Sequence, residues 1–149
     1  MLDTLINFLR NPTKDTNLSP ADGRIALAAL LVRVARADDQ YDPSEVAAIL
    51  DVLKSRYGLS TEQALALQSE AEALEAEAPD TVRFTRAIKD AVPYEDRRTV
   101  VQAMWHVALA DGQRDHMEDR LIRMVVSFLG VSDKDSALCR QKVFAQLSA

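Results

Sequence analysis

Two turns of the chain carry carboxylates at matching positions, in the order D-x-x-x-D-x-x-E. The residues are Asp38, Asp42 and Glu45 in the first turn and Asp111, Asp115 and Glu118 in the second. Three carboxylates at this spacing can supply oxygen ligands to a hard divalent cation such as Ca²⁺, Mg²⁺ or Mn²⁺. The spacing is not that of an EF-hand, which needs ligands at loop positions 1, 3 and 5 and a bidentate Glu at position 12.

Helix capping offers a second interpretation of four of these acids. Asp42 as N-cap, Pro43 at the first helical position and Glu45 at the third form a capping box, and Asp115 with Glu118 repeats the pattern. Folding alone therefore explains these four carboxylates without any ligand.

Asp38 and Asp111 are harder to explain by folding. Each is predicted in the last turn of a helix, where the helix dipole disfavours a negative charge, and each continues an apolar stripe. A carboxylate in this position needs a partner. Backbone N–H groups of the following turn, an arginine, or a divalent cation could fill that role.

The acidic turns belong to an internal repeat. A shift of 73 positions aligns residues 34–45 with 107–118, and seven of the twelve pairs are identical. After a deletion of one residue, the match resumes between 57–60 and 129–132. The sequence therefore predicts a duplicated helical unit over approximately residues 20–78 and 93–148.

The elements around these turns are all predicted to be helices. Apolar residues recur with a period near 3.6, and the 4 glycines and 5 prolines lie mostly between the periodic runs. About eight helices are predicted, over or within Leu2–Arg10, Pro20–Ala37, Val46–Tyr57, Thr61–Ala78, Thr81–Val92, Tyr94–Ala110, Met117–Phe128 and Lys134–Leu147. Gly58 and Gly130 should end helices, and Ser60 and Ser132 or Asp133 should begin them. We therefore expect an all-α fold.

Composition limits the architecture and the partners. The 149 residues and their 48% hydrophobic content indicate one domain over residues 1–149, and the formal charge of −5 argues against nucleic acid as a partner. The chain contains no apolar run long enough to span a membrane and no typical signal peptide. With only one cysteine, these features indicate a cytoplasmic protein without direct membrane insertion.

No set of residues in the sequence supports an enzymatic mechanism. His106 and His116 are the only histidines, and no plausible triad or nucleotide-binding motif accompanies them. His106 is expected at the core boundary, and His116 is a weak candidate for approaching a bound ion. Cys139 is expected to be buried, as are five large apolar residues: Met104, Trp105, Met117, Met124 and Phe128.

A stretch rich in glutamate lies between Tyr57 and Arg83 and contains no basic residue. The acids are Glu62, Glu70, Glu72, Glu75, Glu77 and Asp80. We interpret them mainly as the solvated side of an amphipathic helix, with a docking face for a cationic partner as the alternative.

The duplicated turn A-D-[GD]-x-x-D-x-x-E, at 37–45 and 110–118, resembles that of the TerB-like family, named after a tellurite-resistance protein. Asp39 replaces the usual glycine in the first turn, whereas Gly112 keeps it in the second. The resemblance implies an all-helical fold with pseudo-twofold symmetry and a divalent-metal site at the acidic turns. It further implies a bacterial tellurite or chemical-stress role, membrane-associated protein partners and no established enzymatic activity.

Two functions lead as expectations, and an acidic enzyme that uses Asp38 or Asp111 as a base ranks third. The first is a non-enzymatic TerB-like stress-response domain that binds a divalent cation, and no organic cofactor, through Asp38, Asp42, Glu45, Asp111, Asp115 and Glu118. The second is a helical protein-interaction module in which these acids are only helix caps and the Glu70–Glu77 face is the functional surface.

Overall fold

A computed structural model describes residues 20–37, 41–77, 85–86, 88–89, 92–110 and 116–148. These ranges contain six α-helices and no strand. The helices are α1 (Pro20–Ala35), α2 (Pro43–Tyr57), α3 (Thr61–Glu77), α4 (Arg97–Ala108), α5 (His116–Leu129) and α6 (Asp133–Ser148). The all-α prediction is therefore confirmed.

The predicted count of eight helices is not confirmed. The predicted helix over Leu2–Arg10 lies outside the described residues, and the one over Thr81–Val92 is described only in part, with Thr85, Arg86, Ile88 and Lys89 helical. The segment expected to start a helix at Tyr94 instead forms a 3₁₀ turn, Tyr94–Asp96, in which the Asp96 N–H donates to the Pro93 carbonyl over 2.9 Å. Helix α4 begins directly after this turn, since a 3₁₀ turn is common at the start of an α-helix.

Helix α1 lies at the centre of the bundle. It packs against α2, α3, α4 and α5. From Ile25 to Ala35 every side chain is buried except that of Arg33. A helix that is apolar on all sides belongs in the interior, where each face contacts a different neighbour. Alanines at 26, 28 and 29 are fully buried and let the neighbouring helices approach closely.

Helix α5 contributes a different face to the core than the sequence predicts. Its buried residues are Ile122, Val125, Val126 and Leu129. Met124 and Phe128, expected in the core, are 39% and 40% exposed. The prediction is wrong because α5 has apolar residues on two adjacent faces, and periodicity alone does not say which face meets the other helices.

The two halves of the chain use the same hydrogen bonds at corresponding helix ends. Arg36 N–H donates to the Val32 carbonyl and Leu109 N–H to the Trp105 carbonyl, each over 2.9 Å. At the next boundary, Leu59 N–H bonds to the Lys54 carbonyl and Val131 N–H to the Val126 carbonyl, each over 3.1 Å. The sequence repeat is therefore matched by repeated backbone geometry.

The turns that follow α2 and α5 also agree. Gly58 and Gly130 have φ values of 62° and 76°, the left-handed conformation that ends a helix. Ser60 Oγ accepts the Gln63 N–H, and Ser132 Oγ accepts the Asp135 N–H, each over 3.1 Å. These contacts confirm the predicted glycine ends and serine caps, and select Ser132 over Asp133.

Candidate functional site at the acidic turns

The described part of the first acidic turn is a complete capping box. Asp42 Oδ1 accepts the Ser44 backbone N–H over 2.9 Å and the Ser44 hydroxyl over 2.7 Å. Glu45 Oε1 accepts the Asp42 backbone N–H over 3.4 Å, and Pro43 stands at the first helical position. The capping prediction for Asp42 and Glu45 is confirmed, and both carboxylates bind the start of α2.

These contacts favour the ionised form of Asp42. The Ser44 hydroxyl contributes most, followed by the Ser44 backbone N–H, and together they hold the pKa of Asp42 below its ordinary value of 3.8. Asp42 is therefore a carboxylate at neutral pH, as either a cap or a metal ligand must be.

Glu45 is the buried acid of this turn. Its side chain is 1% exposed, although it lies only three residues beyond Asp42. Glutamate is rarely buried to this extent, because its charge is costly to remove from water. The structure thus places one buried and one partly exposed carboxylate side by side where α2 begins.

A hydrogen-bonded tyrosine adjoins the capping box. Gln68 Nε2 donates to the Tyr41 hydroxyl oxygen over 3.3 Å and to the Val46 carbonyl over 3.0 Å. Burial raises the pKa of Tyr41 to about 12. The Arg36 guanidinium lies 4.9 Å from the centre of the Tyr41 ring. Gln68, 3% exposed, thereby connects α3 to both the turn and α2.

Glu75 on α3 joins Arg33 of α1 to Arg36, directly beyond the end of that helix, in a cluster that the sequence analysis missed. Arg36 Nη1 lies 2.7 Å from Glu75 Oε2, and Arg33 Nε lies 3.3 Å from Glu75 Oε1. Arg33 Nη2 also donates to the Glu75 carbonyl over 3.3 Å. Glu75 is only 13% exposed, so the prediction that it lies on a solvated face is wrong. The signal was a pair of arginines, three residues apart, on an otherwise apolar helix.

The structure brings the flanks of the two acidic turns together. An open cavity of about 350 Å³ is lined by Arg36 and Ala37, directly before the first turn, and by Arg120, Leu121 and Met124 of α5, which follows the second turn. Arg33 and Glu75 complete its lining. The helix that leads into one turn therefore meets the helix that leaves the other.

The remaining predicted site residues are placed less fully. Asp38, Asp111 and Asp115 lie outside the described residues, and Glu118 is placed only as a backbone position in the first turn of α5. Within the described ranges, no three His, Cys, Asp or Glu side chains come together in a metal-binding group. The described acids that do come together are Asp42 and Glu45.

The residues outside the turns mostly follow expectation. Cys139 is 6% exposed, and burial raises the pKa of its thiol, which accords with an unreactive buried residue. Trp105 is 8% exposed, and its indole N–H donates to the Ser136 hydroxyl over 3.1 Å. His106 lies at the boundary of the core, as predicted.

Comparison with known proteins identifies the family. The family model described as "Tellurite resistance protein TerB" matches residues 24–141, which includes both acidic turns and four complete α-helices. No curated protein and no solved structure matches the chain. No described helix is long and apolar enough to cross a membrane. Because the match spans most of the sequence, the chain belongs to the TerB family.

Proposed function

We propose that this protein is a non-enzymatic TerB-family domain that binds a divalent cation at its duplicated acidic turns. The ligands are drawn from Asp38, Asp42, Glu45, Asp111, Asp115 and Glu118. The meeting of the end of α1 with the first half of α5 carries this proposal, because it brings together the flanks of both turns. Carboxylates that lie close together repel one another, and a cation would relieve that repulsion.

The donor set fits a hard cation. Carboxylate oxygens are the ligands that Ca²⁺, Mg²⁺ and Mn²⁺ prefer, and Asp42 and Glu45 place such oxygens beside one another where α2 begins. When bound, the cation would supply positive charge and a fixed coordination geometry. The capping contacts with Ser44 and the Asp42 N–H orient the two carboxylates without it.

We place this domain in a bacterial tellurite or chemical-stress response in the cytoplasm, with protein partners that include membrane-associated ones. Family membership supports the stress role, and the charge of −5 favours protein over nucleic acid as a partner. The repeated contacts at the helix ends support a duplicated unit with approximate twofold symmetry.

The alternative function is a helical interaction module in which the acids only cap helices. The complete capping box at Asp42 favours it, since the described contacts of the box already use both acids. The Glu70–Glu77 face is a weaker surface for such a module than the sequence indicates, because Glu75 binds two arginines of the same chain.

Metal-dependent thermal unfolding separates the two functions. The wild-type protein, stripped with a chelator, should gain stability when Ca²⁺, Mg²⁺ or Mn²⁺ is added, by about 2.7 kcal/mol at a concentration one hundred times the Kd. The variant D38N/D111N should lose this gain, because amides bind hard cations poorly.

The matched control is E62Q/E70Q, which removes the same charge from exposed positions of α3. It should respond to metal as the wild type does. If D38N/D111N still gains the wild-type stabilisation, the acidic turns are not the metal site and the interaction module becomes the better proposal.

A further inference from the structure

A second cleft lies between α2, α4 and α6, apart from the acidic turns. Its volume is about 390 Å³, within the range of about 300–1,000 Å³ typical of small-molecule sites. Six polar side chains line it: Ser55, Arg56, Thr99, Gln102, His106 and Gln146. No described carboxylate is among the lining residues. In a protein with a charge of −5, a cleft lined by an arginine and a histidine without an acid is suited to an anion.

The arginine of the cleft is held in place. Arg56 Nη1 donates to Thr99 Oγ1 over 2.8 Å, and Thr99 Oγ1 donates in turn to the Asp96 carbonyl over 2.6 Å. A guanidinium has five N–H donors, and this bond to Thr99 uses one of them. Since an ordered donor loses less entropy on binding, Arg56 is prepared to bind an oxyanion.

The polar lining comes from one face of α4. Thr99, Gln102, Ala103 and His106 follow each other at spacings of three, one and three residues, so they share that face. The repeat places Ala26, Ala29 and Leu30 on the corresponding face of α1, and all three are fully buried. At these three positions the face is therefore closed core in the first half and lines an open cleft in the second.

The final helices of the two halves show the same contrast. Gln146 corresponds to Leu74, which is 2% exposed in the first half. The partner of Arg33 in the first half, Glu75, corresponds to Leu147, whereas Arg33 itself corresponds to His106. The second half thus has a glutamine and a leucine at the positions of the buried leucine and the carboxylate, and a histidine at the position of Arg33. Leu74 is buried whereas Gln146 is exposed, so this repeat position faces solvent at the cleft in the second half.

We propose that the cleft between α2, α4 and α6 binds a small organic oxyanion, a carboxylate or phosphate group on an apolar body. Arg56 and His106 supply donors to the anionic oxygens, and the amides of Gln102 and Gln146 fix its orientation. The apolar body lies against Val52, Ala103 and Val143, which complete the lining. The site does not depend on the acidic turns, so chelation of divalent cations leaves it intact.

Heteronuclear NMR on the full chain tests this site. Benzoate and phenyl phosphate are the two anionic probes, and benzyl alcohol is the neutral analogue. At least one anion should produce saturable shifts in the side-chain amides of Gln102 and Gln146, and benzyl alcohol should produce none. A carboxylate site responds more strongly to benzoate, and a phosphate site to phenyl phosphate.

Three variants establish where binding occurs. R56Q should weaken anion binding about tenfold, because it removes a charge-assisted hydrogen bond. Q146L should also weaken binding, because it removes the amide that fixes the orientation of the anion. R123Q removes an equal charge from an exposed position of α5 and should bind as the wild type does. Chemical-shift spectra of the free variants report whether each one folds.

Two results would overturn the proposal. One is that neither anion shifts the cleft amides in a saturable way. The other is that R56Q and R123Q weaken binding equally, which would mean that the probes sense only the general positive charge of the surface.

Discussion

The carboxylate of Asp42 fits both interpretations of the acidic turns, as a helix cap and as a metal ligand. Its contacts with Ser44 are those of a helix cap, and the same contacts keep it ionised, as a metal ligand must be. The cap and the ligand are therefore not exclusive at this residue. Asp38 and Asp111, for which the sequence offers no capping role, are the residues whose substitution distinguishes the two functions.

The Ser44 hydroxyl should control the ionisation of Asp42. Because its bond to Oδ1 is the largest influence on this group, S44A should raise the pKa of Asp42 toward 3.8. The lowered pKa stabilises the folded state above 3.8, and this contribution disappears as the pH falls through the folded-state pKa. An NMR titration of the Asp42 carboxyl carbon measures the midpoint, with S69A on the exposed side of α3 as control. A wild-type midpoint at or above 3.8 would contradict this prediction.

Glu75 should contribute measurably to stability through its two arginines. E75Q should lower the free energy of unfolding by about 1–2 kcal/mol, because the acid is mostly buried while Arg36 remains 34% exposed. E77Q, two residues further along and exposed, should change it by less than about 0.5 kcal/mol. Urea denaturation measures both, and a double-mutant cycle with R36M should give a coupling of about 1 kcal/mol. Equal effects of E75Q and E77Q would show that the ion pairs contribute nothing.

The helices and turns repeat more closely than the side chains between them. Gly58 and Gly130 end corresponding helices, and Ser60 and Ser132 begin the next ones with bonds of equal length. Backbone contacts of this kind depend on a glycine and a cap, so they survive extensive change elsewhere in the repeat. The side chains differ more: at one repeat position, the first half has the apolar Ala29 and the second half has the polar Gln102.

The left-handed conformation at Gly58 should make glycine the best residue there. A Cβ would meet no atom within 4 Å, so the cost of G58A comes only from the positive φ of 62°. We expect G58A to lower the free energy of unfolding by about 1–2 kcal/mol and G58N to lower it less, since asparagine tolerates this conformation. Thermal or urea unfolding measures both. A G58A variant at least as stable as the wild type would show that this conformation carries no such penalty.

In the molecule as a whole, α1 holds the bundle together, because four helices pack on it. Substitutions in α1 should therefore lower the free energy of unfolding in proportion to the burial of the side chain that is replaced. L30A, at a fully buried position, should lower the free energy of unfolding by about 2–5 kcal/mol, because it leaves a cavity between helices. L65A removes the same atoms where the side chain is 49% exposed and should cost less than about 1 kcal/mol. Chemical denaturation followed by circular dichroism compares them, and similar costs would contradict a central position for α1.

The local features of this protein follow from short stretches of sequence. The helical period, the glycine ends, the serine caps and the capping box at Asp42 were all predictable, because each depends on residues within one or two turns of helix. The repeat was readable for the same reason, since seven identities in twelve positions survive in one segment. The resemblance to the TerB-like family rests on the same turns, whereas the family match spans residues 24–141.

The contacts between distant segments could not be read in this way. That α5 buries Val126 rather than Phe128, that Glu75 reaches Arg33 and Arg36, and that a polar cleft opens over α4 depend on how the helices pack. Periodicity defines the faces of a helix but not the neighbour that each face meets. That choice minimises exposed apolar area and unpaired charge over the entire bundle, so it is a property of the assembled fold.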